Sequence, residues 1–547
     1  MKISKKYSYY FILGLMFLCT ILLRVYKLAQ LPDILHIDEA GLGYNAWCLA
    51  HYGTDRYLNV HPFYAQNFEG GQSPLYTYML VLLIKTIGCG NVSLWLTRLP
   101  AVIASLLLWG VGVKSISLIF HDRKFTIAAA CFLAFCPYYI MSGRFALDCN
   151  LMLCCCAISL LFLLKYIQTN KLPFLIFCGI SFGFTMYSYA LSYFMVPIFL
   201  VLITLYLLYT RKITFPRAIL FAITVCITAI PVILFACSLL FQWEPIHFLG
   251  FVISPIASDR MKDVASSSFW ENVTDIIKIT LTHSFYPQDA VDKFYTLYPV
   301  SIPFIVLGMV YSVYRVVISV VKKTFHPASL YLFFYISGLI TIGLTGTQYV
   351  YRANSFFICY LYFWISGIAL VYNFLSVYRK PFATVLACSY LLWTASFMNY
   401  YFRIYTLADQ YPNSLYNVPI KDAVDYVESH ANFSTLYMDC TGMSEFYFFY
   451  YPVNPSAAAS EEHYQNGSHG YEFGIDYATP VESSNAYIVR KENLEFINKL
   501  NASGLSLPTL LFVLLRMIML SETPASLLSG ITVYTLTMVD KSIQCLT

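Results

Sequence analysis

The sequence predicts a mostly α-helical fold: a polytopic transmembrane bundle of about eleven spans, with outer juxtamembrane helices and a small C-terminal extracytoplasmic α/β domain. Three observations predict it. Of 547 residues, 59% are hydrophobic and 12% charged, with a mean hydropathy of +0.63, whereas an ordinary soluble chain is about 25% charged. Apolar runs recur at lengths near the roughly 20 residues that a bilayer-crossing helix needs. After about residue 403 the composition turns polar. These features exclude a soluble enzyme, a disordered scaffold and a fibrous protein. The charge balance, 34 − 29 = +5, is too small to imply nucleic acid, so the partner it leaves is the lipid bilayer.

The first apolar run, residues 9–28, follows Lys2, Lys5 and Lys6. It is too long for a typical signal-peptide core and lacks a small-x-small cleavage site, so it reads as an uncleaved span with a cytoplasmic N-terminus. Further spans are expected at 99–120, 125–141, 150–167, 172–190, 193–209, 218–240, 298–321, 328–345, 356–374 and 381–402. Segment 73–88 is apolar but short and carries Lys85. If it does not cross, Arg123/Lys124, Lys165/Lys171, Arg211/Lys212/Arg217, Lys322/Lys323 and Arg379/Lys380 all fall in the cytoplasm, as the positive-inside rule requires. It is therefore expected to be a re-entrant or interfacial helix, and the protein a multi-pass protein of the plasma membrane. The 16 cysteines, including Cys154, Cys155 and Cys156, lie mostly inside apolar runs and read as small buried hydrophobes.

That parity gathers residues 29–98, 142–149, 241–297, 346–355 and everything after 403 on the outer face. In the first loop, Asp38 is expected to cap a helix from Glu39 to about Tyr52, ended by Gly53. Leu42, Ala46 and Leu49 would lay that helix along the membrane surface. Adjacent carboxylates beside a span favour a functional role, because charge near lipid is costly. Residues 241–297, with Pro245, Pro255 and Pro287, read as a long irregular lid.

Four stretches carry a resemblance: IDEAGLGYNAW at 37–47, GGQSPLYTYM at 70–79, LTRLPAVIASLL at 96–107 and SGRFALDCNLM at 142–152. In this order they resemble the GT-C glycosyltransferases of the protein O-mannosyltransferase and aminoarabinose (lipid A) transferase type, over roughly residues 9–210. The resemblance implies an inverting hexosyl- or pentosyltransferase of the cell envelope. It would take sugar from a polyprenyl-phosphate donor and pass it to a glycan, lipid or protein acceptor at the outer face. It places the catalytic acidic pair on Asp38 and Glu39 and a second acidic residue on Asp148. The re-entrant helix should leave Asp38 and Asp148 lining one cavity. Where the aminoarabinose transferases carry a phosphate-contacting Lys before the proline of the re-entrant helix, this chain has Ser73 before Pro74. Phosphate binding is therefore expected of Arg98, Arg144 and Arg352, the last matching an Arg-Asn-type motif at the mouth of a late span. Arg144 could alternatively pair with Asp148, and each arginine could simply snorkel to the headgroups.

Other signals carry less. Gly41-x-Gly43-x-x-Ala46 mimics a dinucleotide fingerprint but follows no strand. His36, His51 and His61 match no standard ligand spacing, so no metal is assigned, although some relatives of this type use a divalent ion. Most of the 47 tyrosines read as interface belts and span packing; Tyr44, Tyr76, Tyr187 and Tyr189 could stack on sugar, but no pattern selects them. A transporter or flippase of lipid-linked sugars is the rival reading, disfavoured by the absence of an internal repeat with broken midplane helices.

The expected domains are a membrane catalytic module at 1–402, including the outer loops 29–98 and 241–297, and a soluble α/β domain at 403–504. The soluble domain is read as helix 419–430, strand 435–439, a flexible loop 455–479, strand 486–489 and helix 491–500. The tail 505–547 stays open between a docked hairpin, a twelfth crossing and an altered reading frame.

Overall fold

The computed structural model describes residues 2–32, 35–67, 70–256, 268–282, 291, 293–346, 349–404, 420–439, 444–456, 463–490, 493–504, 510–514 and 532–536. The chain divides into two compact units. One comprises Met1–Leu28, Pro62–Met79 and Arg98–Tyr405; the other comprises Ala29–His61, Leu80–Thr97 and Thr406–Thr547.

The first unit is a helical bundle. Among the described residues, eight helices are long and apolar enough to cross a bilayer: Tyr7–Val25, Leu94–Phe120, Cys149–Thr169, Ser192–Tyr209, Pro299–Val321, Ala328–Thr345, Phe356–Phe374 and Ser376–Ile404. A ninth forms if Phe215–Thr228 and Ile230–Phe241 count as one broken span, bent by 68°. Pro231, at the start of the second piece, supplies no backbone N–H and so favours the break there. The two remaining expected spans are helical but short. One is split into Arg123–Phe135 and Pro137–Met141 by Pro137, and the other is Leu172–Thr185.

Packing in this unit depends on small residues where helices cross. A Cβ at Gly308 would overlap the Phe363 carbonyl, and one at Gly367 would overlap that of Phe304. Helices Ile302–Val321 and Phe356–Phe374 therefore meet backbone to backbone, as the scarcity of other driving forces between apolar helices in lipid encourages. The segment 241–297 is less irregular than its composition suggests. Among its described residues it forms a hairpin, Ile246–Phe248 with Phe251–Ile253, and a helix, Phe269–Leu281.

The second unit is built on a six-stranded mixed sheet. In spatial order its strands are Thr532–Leu536, Leu510–Leu514, Ala486–Arg490, Thr435–Met438, His469–Phe473 and His463–Asn466. The central four are parallel and the two edge strands antiparallel. Side chains alternate across it. Ala486 and Ile488 join a core with Val424, Val427 and Phe446, whereas Tyr487 and Val489 pack with Phe496 and Leu500. Helices Ile420–His430 and Ser444–Tyr450 thus contribute to one face and Leu494–Ser503 to the other.

Three expectations change here. The stretch 455–479 holds the antiparallel pair His463–Asn466 and His469–Phe473, turned at Gly467 with φ +61°. In the tail, the described residues 510–514 and 532–536 form antiparallel strands at the edge of the sheet. The helix of the first loop also packs into a protein core. Leu35, Ala40, Tyr44 and Cys48 lie in the same core as Phe446, Phe448 and Phe449, and Ala29–His61 belongs to the second unit rather than to the bundle.

Candidate functional site

The acidic pair opens helix Ile37–Tyr52, but the cap is His36 and not Asp38. The His36 Nδ1 accepts from the Asp38 backbone N–H at 3.0 Å, and the Glu39 Oε2 accepts from the His36 N–H at 3.1 Å. This is a capping box with an imidazole in place of the usual hydroxyl. Because Nδ1 accepts, its lone pair points at the helix. The 3.7 Å approach of Asp38 Oδ2 to the same nitrogen is therefore a contact between two acceptors and not an ion pair.

The box separates the two carboxylates. Glu39 has no exposed surface and serves the helix terminus. Asp38 keeps 39% of its side chain exposed, at the second helical position where the macrodipole stabilises negative charge. Asp38 is thus the member of the pair that keeps exposed surface. Burial pushes the nearby Cys48 thiol up to about 12, which leaves it inert as a nucleophile. The His51 ring is bonded to the Gly90 carbonyl at 2.7 Å. Among the described residues, no group of three or more His, Cys, Asp or Glu side chains could hold a metal ion.

In the helical bundle, Asp148 sits between two helix N-termini. Its Oδ1 accepts from the Cys149 N–H at 2.8 Å, at the start of Cys149–Thr169. Its Oδ2 accepts from the Ser73 N–H at 3.1 Å, immediately before Pro74–Thr86. The two amide donors fix the orientation of this carboxylate. Tyr64 and Tyr187, with Asp148, lie within electrostatic reach of the Tyr193 hydroxyl.

Arg352 lies in the short helical turn Val350–Ala353 of the same unit. The adjacent Asn354 donates through Nδ2 to the Cys149 carbonyl, tying this turn to the helix that Asp148 caps. The guanidinium is half-buried and stands over the Tyr349 ring at 5.2 Å. Burial opposes its charge, but Tyr189, Tyr351 and Tyr349 outweigh it and raise the group above its ordinary value. Of the tyrosines expected to meet sugar, Tyr187 and Tyr189 fall in this neighbourhood. Tyr44 does not: it stacks on Phe448 at 5.3 Å in the core of the second unit. Tyr76 is fully buried.

Arg98 and Arg144, expected to contact phosphate, both donate to backbone carbonyls. Both are fully buried. Arg98 donates to the Leu28 carbonyl at 2.9 Å. Arg144 reaches the C-terminal end of the first span. Its Nη1 donates to the carbonyls of Leu23 and Arg24 at 2.8 and 3.1 Å, and its Nη2 to those of Tyr26 and Lys27 at 2.8 and 3.3 Å. These are the carbonyls a helix C-terminus leaves without intrahelical partners, so Arg144 closes the end of the first span. Burial lowers its pKa, which the neighbouring Tyr401 counters in part.

Arg24, which no sequence motif marks, does the same for Arg123–Phe135. It donates to the carbonyls of Leu133 and Ala134 at 2.7 Å each, to that of Tyr139 at 3.0 Å and to Ser105 Oγ at 3.1 Å. The signal that could have found it is a lone arginine in the last turn of an apolar helix, where a charge demands partners.

With this geometry in view, the chain can be set beside known proteins. Residues 71–235, which include Ser73, Arg98, Arg144 and Asp148, match the family described as dolichyl-phosphate-mannose-protein mannosyltransferase. The fold is similar to that of the Archaeoglobus fulgidus oligosaccharyltransferase in its apo form, with a TM-score of 0.51 and 12% identity over 83% of this chain and 64% of that one. ArnT from Cupriavidus metallidurans in the apo state aligns with a TM-score of 0.45 and 14% identity, over 69% of this chain and 63% of that one. The chain thus spans just under two thirds of the length of these solved chains. No curated protein sequence matches it significantly. The mostly helical fold is similar to that of GT-C membrane enzymes, and the protein is an integral membrane protein.

Proposed function

We propose that the protein is a membrane glycosyltransferase that moves a sugar from a polyprenyl-phosphate carrier to an acceptor at the outer face, with inversion. The observation that carries this reading is Asp148. Within the matched segment, its carboxylate is fixed by the N–H groups of Ser73 and Cys149, and a cation, Arg352, sits on the turn tied to the same helix end. An oriented carboxylate suits sugar or acceptor hydroxyls, and a cation nearby suits a departing phosphate. The carriers named for solved proteins of this fold support the donor class: one ArnT structure is described as bound to undecaprenyl phosphate, and an archaeal oligosaccharyltransferase as in complex with a dolichol-phosphate.

In the proposed reaction, Asp38 takes the proton of the acceptor hydroxyl or amine. The freed electron pair attacks the anomeric carbon, and the bond from that carbon to the phosphate oxygen breaks. The carrier phosphate leaves as an anion that needs no protonation, so a base is worth more than an acid. A positioned base contributes about 10²–10⁴ in rate. Glu39 acts on Asp38 through the capping box. Arg352 stabilises the charge that builds on the departing phosphate, and Arg98 and Arg144 hold the backbone. The clusters of Lys and Arg favour the same orientation as before, with the N-terminus cytoplasmic and the site outside. No observation favours the transporter reading.

The test is release of free carrier phosphate by purified protein in proteoliposomes, offered dolichyl-phosphate mannose or an undecaprenyl-phosphate sugar. Asp148→Asn should raise KM for acceptor or donor more than it lowers kcat, and Arg352→Gln should lower kcat. Movement of intact carrier across the vesicle with no release would establish transport and end this reading.

A further inference from the structure

The helix that carries Asp38 is clasped by the α/β domain through contacts that bear on its position rather than its chemistry. Gly43, one turn past Glu39, is seated against Phe449: a Cβ there would overlap Phe449 Cε2 and come within 2.6 Å of Cδ2. The next residue, Tyr44, stacks on Phe448 with ring centroids 5.3 Å apart, and its hydroxyl donates to the Val453 carbonyl at 3.0 Å. Just past the helix, Arg56 forms an ion pair with Glu445 through Nη1 and Oε1 at 2.5 Å. Both partners are almost wholly buried, at 6% and 1% exposure. The Asn45 Oδ1 accepts from the Arg56 N–H at 3.1 Å and joins the ion pair to the helix itself. Every anchor on the domain side belongs to Ser444–Tyr450 or the turn after it.

A buried ion pair costs desolvation and adds little net stability compared with apolar packing, so its attested use is to fix one arrangement over others. A glycine pressed against an aromatic ring likewise sets the distance between two helices, because any side chain there would have to displace the ring. None of these contacts touches Asp38. All of them determine where its backbone lies.

Resting on the functional reading above, we propose that Arg56, Glu445 and the Gly43–Phe449 seat are positioning elements for Asp38. The α/β domain would then be part of the catalytic machinery because it sets the register of the acidic helix. A group displaced by about 1 Å can lose about a hundredfold in rate without any change to the chemistry itself.

The test uses full-length protein and two readouts. Hydrogen exchange should rise at the amides of 37–52 in Gly43→Ala and in Glu445→Gln, while those of strands 435–438 and 486–490 stay protected. With dolichyl-phosphate mannose or an undecaprenyl-phosphate sugar, whichever the unaltered protein turns over, both variants should lose about tenfold or more in kcat with donor KM unchanged. Adding Phe449→Leu to Gly43→Ala, which makes room for the methyl group, should bring kcat back to within about twofold of Phe449→Leu alone. Unchanged exchange at 37–52, or unchanged kcat beside raised exchange, or a double variant no better than Gly43→Ala, would overturn the proposal. If the unaltered protein turned over neither donor, the functional reading would fail by itself, and exchange at 37–52 would still decide whether the clasp holds the helix.

Discussion

Replacing Arg144 separates an architectural arginine from a phosphate ligand. The guanidinium makes two bonds at 2.8 Å, to Leu23 and Tyr26, and two longer ones at 3.1 and 3.3 Å, to Arg24 and Lys27. A hydrogen bond to a charged group is worth about 1.5–3 kcal/mol, and a buried carbonyl left without its donor costs about 1–3 kcal/mol. Counting only the two short bonds, and allowing for the relief of no longer burying a cation, Arg144→Met should cost about 3 kcal/mol. Arg144→Lys should recover a fraction of that, because one ammonium cannot span four carbonyls as a planar fork does. The assay is thermal unfolding of purified protein in detergent, paired with donor KM measured well below the transition. A lowered unfolding temperature in Arg144→Met, a smaller drop in Arg144→Lys and an unchanged donor KM are expected. Normal unfolding with a sharply raised donor KM would refute the capping role and restore the phosphate contact.

Two further predictions concern elements with distinct physical causes. Glu39→Ala removes the acceptor for the His36 N–H and should cost about 1 kcal/mol, whereas Glu39→Gln keeps an acceptor and should cost less, as chemical unfolding of the second unit would show. Gly308→Leu should abolish recovery of folded protein in detergent, since the side chain would overlap the Phe363 carbonyl at a helix crossing; a monodisperse, stable variant would show that the crossing can open.

The helical character of the bundle was legible because hydropathy reports directly on the solvent a helix faces, and boundaries such as 328–345 and 356–374 match closely. Where prolines intervene, at Pro137 and Pro231, continuous apolar runs concealed broken helices. Local capping was half legible. Aspartate is intrinsically a better cap than histidine, so Asp38 looked like the cap; yet His36 with Glu39 three residues on already has the spacing of a capping box. The tertiary roles were not legible at all. Arg144 bonds residues about 120 positions away, and nothing in its own neighbourhood distinguishes that from a phosphate site. The helix of 37–52 carries apolar residues that suit either a membrane surface or a protein core, and only the packing against Phe446, Phe448 and Phe449 decides between them.

The central claim is that Asp38 is the base of a glycosyl transfer, and the most direct measurement is turnover by Asp38→Asn. Asparagine preserves the shape of the side chain, and losing one partly exposed charge near a helix N-terminus costs only about 0.3–1 kcal/mol, so the protein should fold. Release of carrier phosphate from dolichyl-phosphate mannose or an undecaprenyl-phosphate sugar should fall by about a hundredfold or more, with donor KM little changed. Near-normal release by folded Asp38→Asn protein would contradict the account and leave the carboxylate as no more than a favourable charge at the start of a helix.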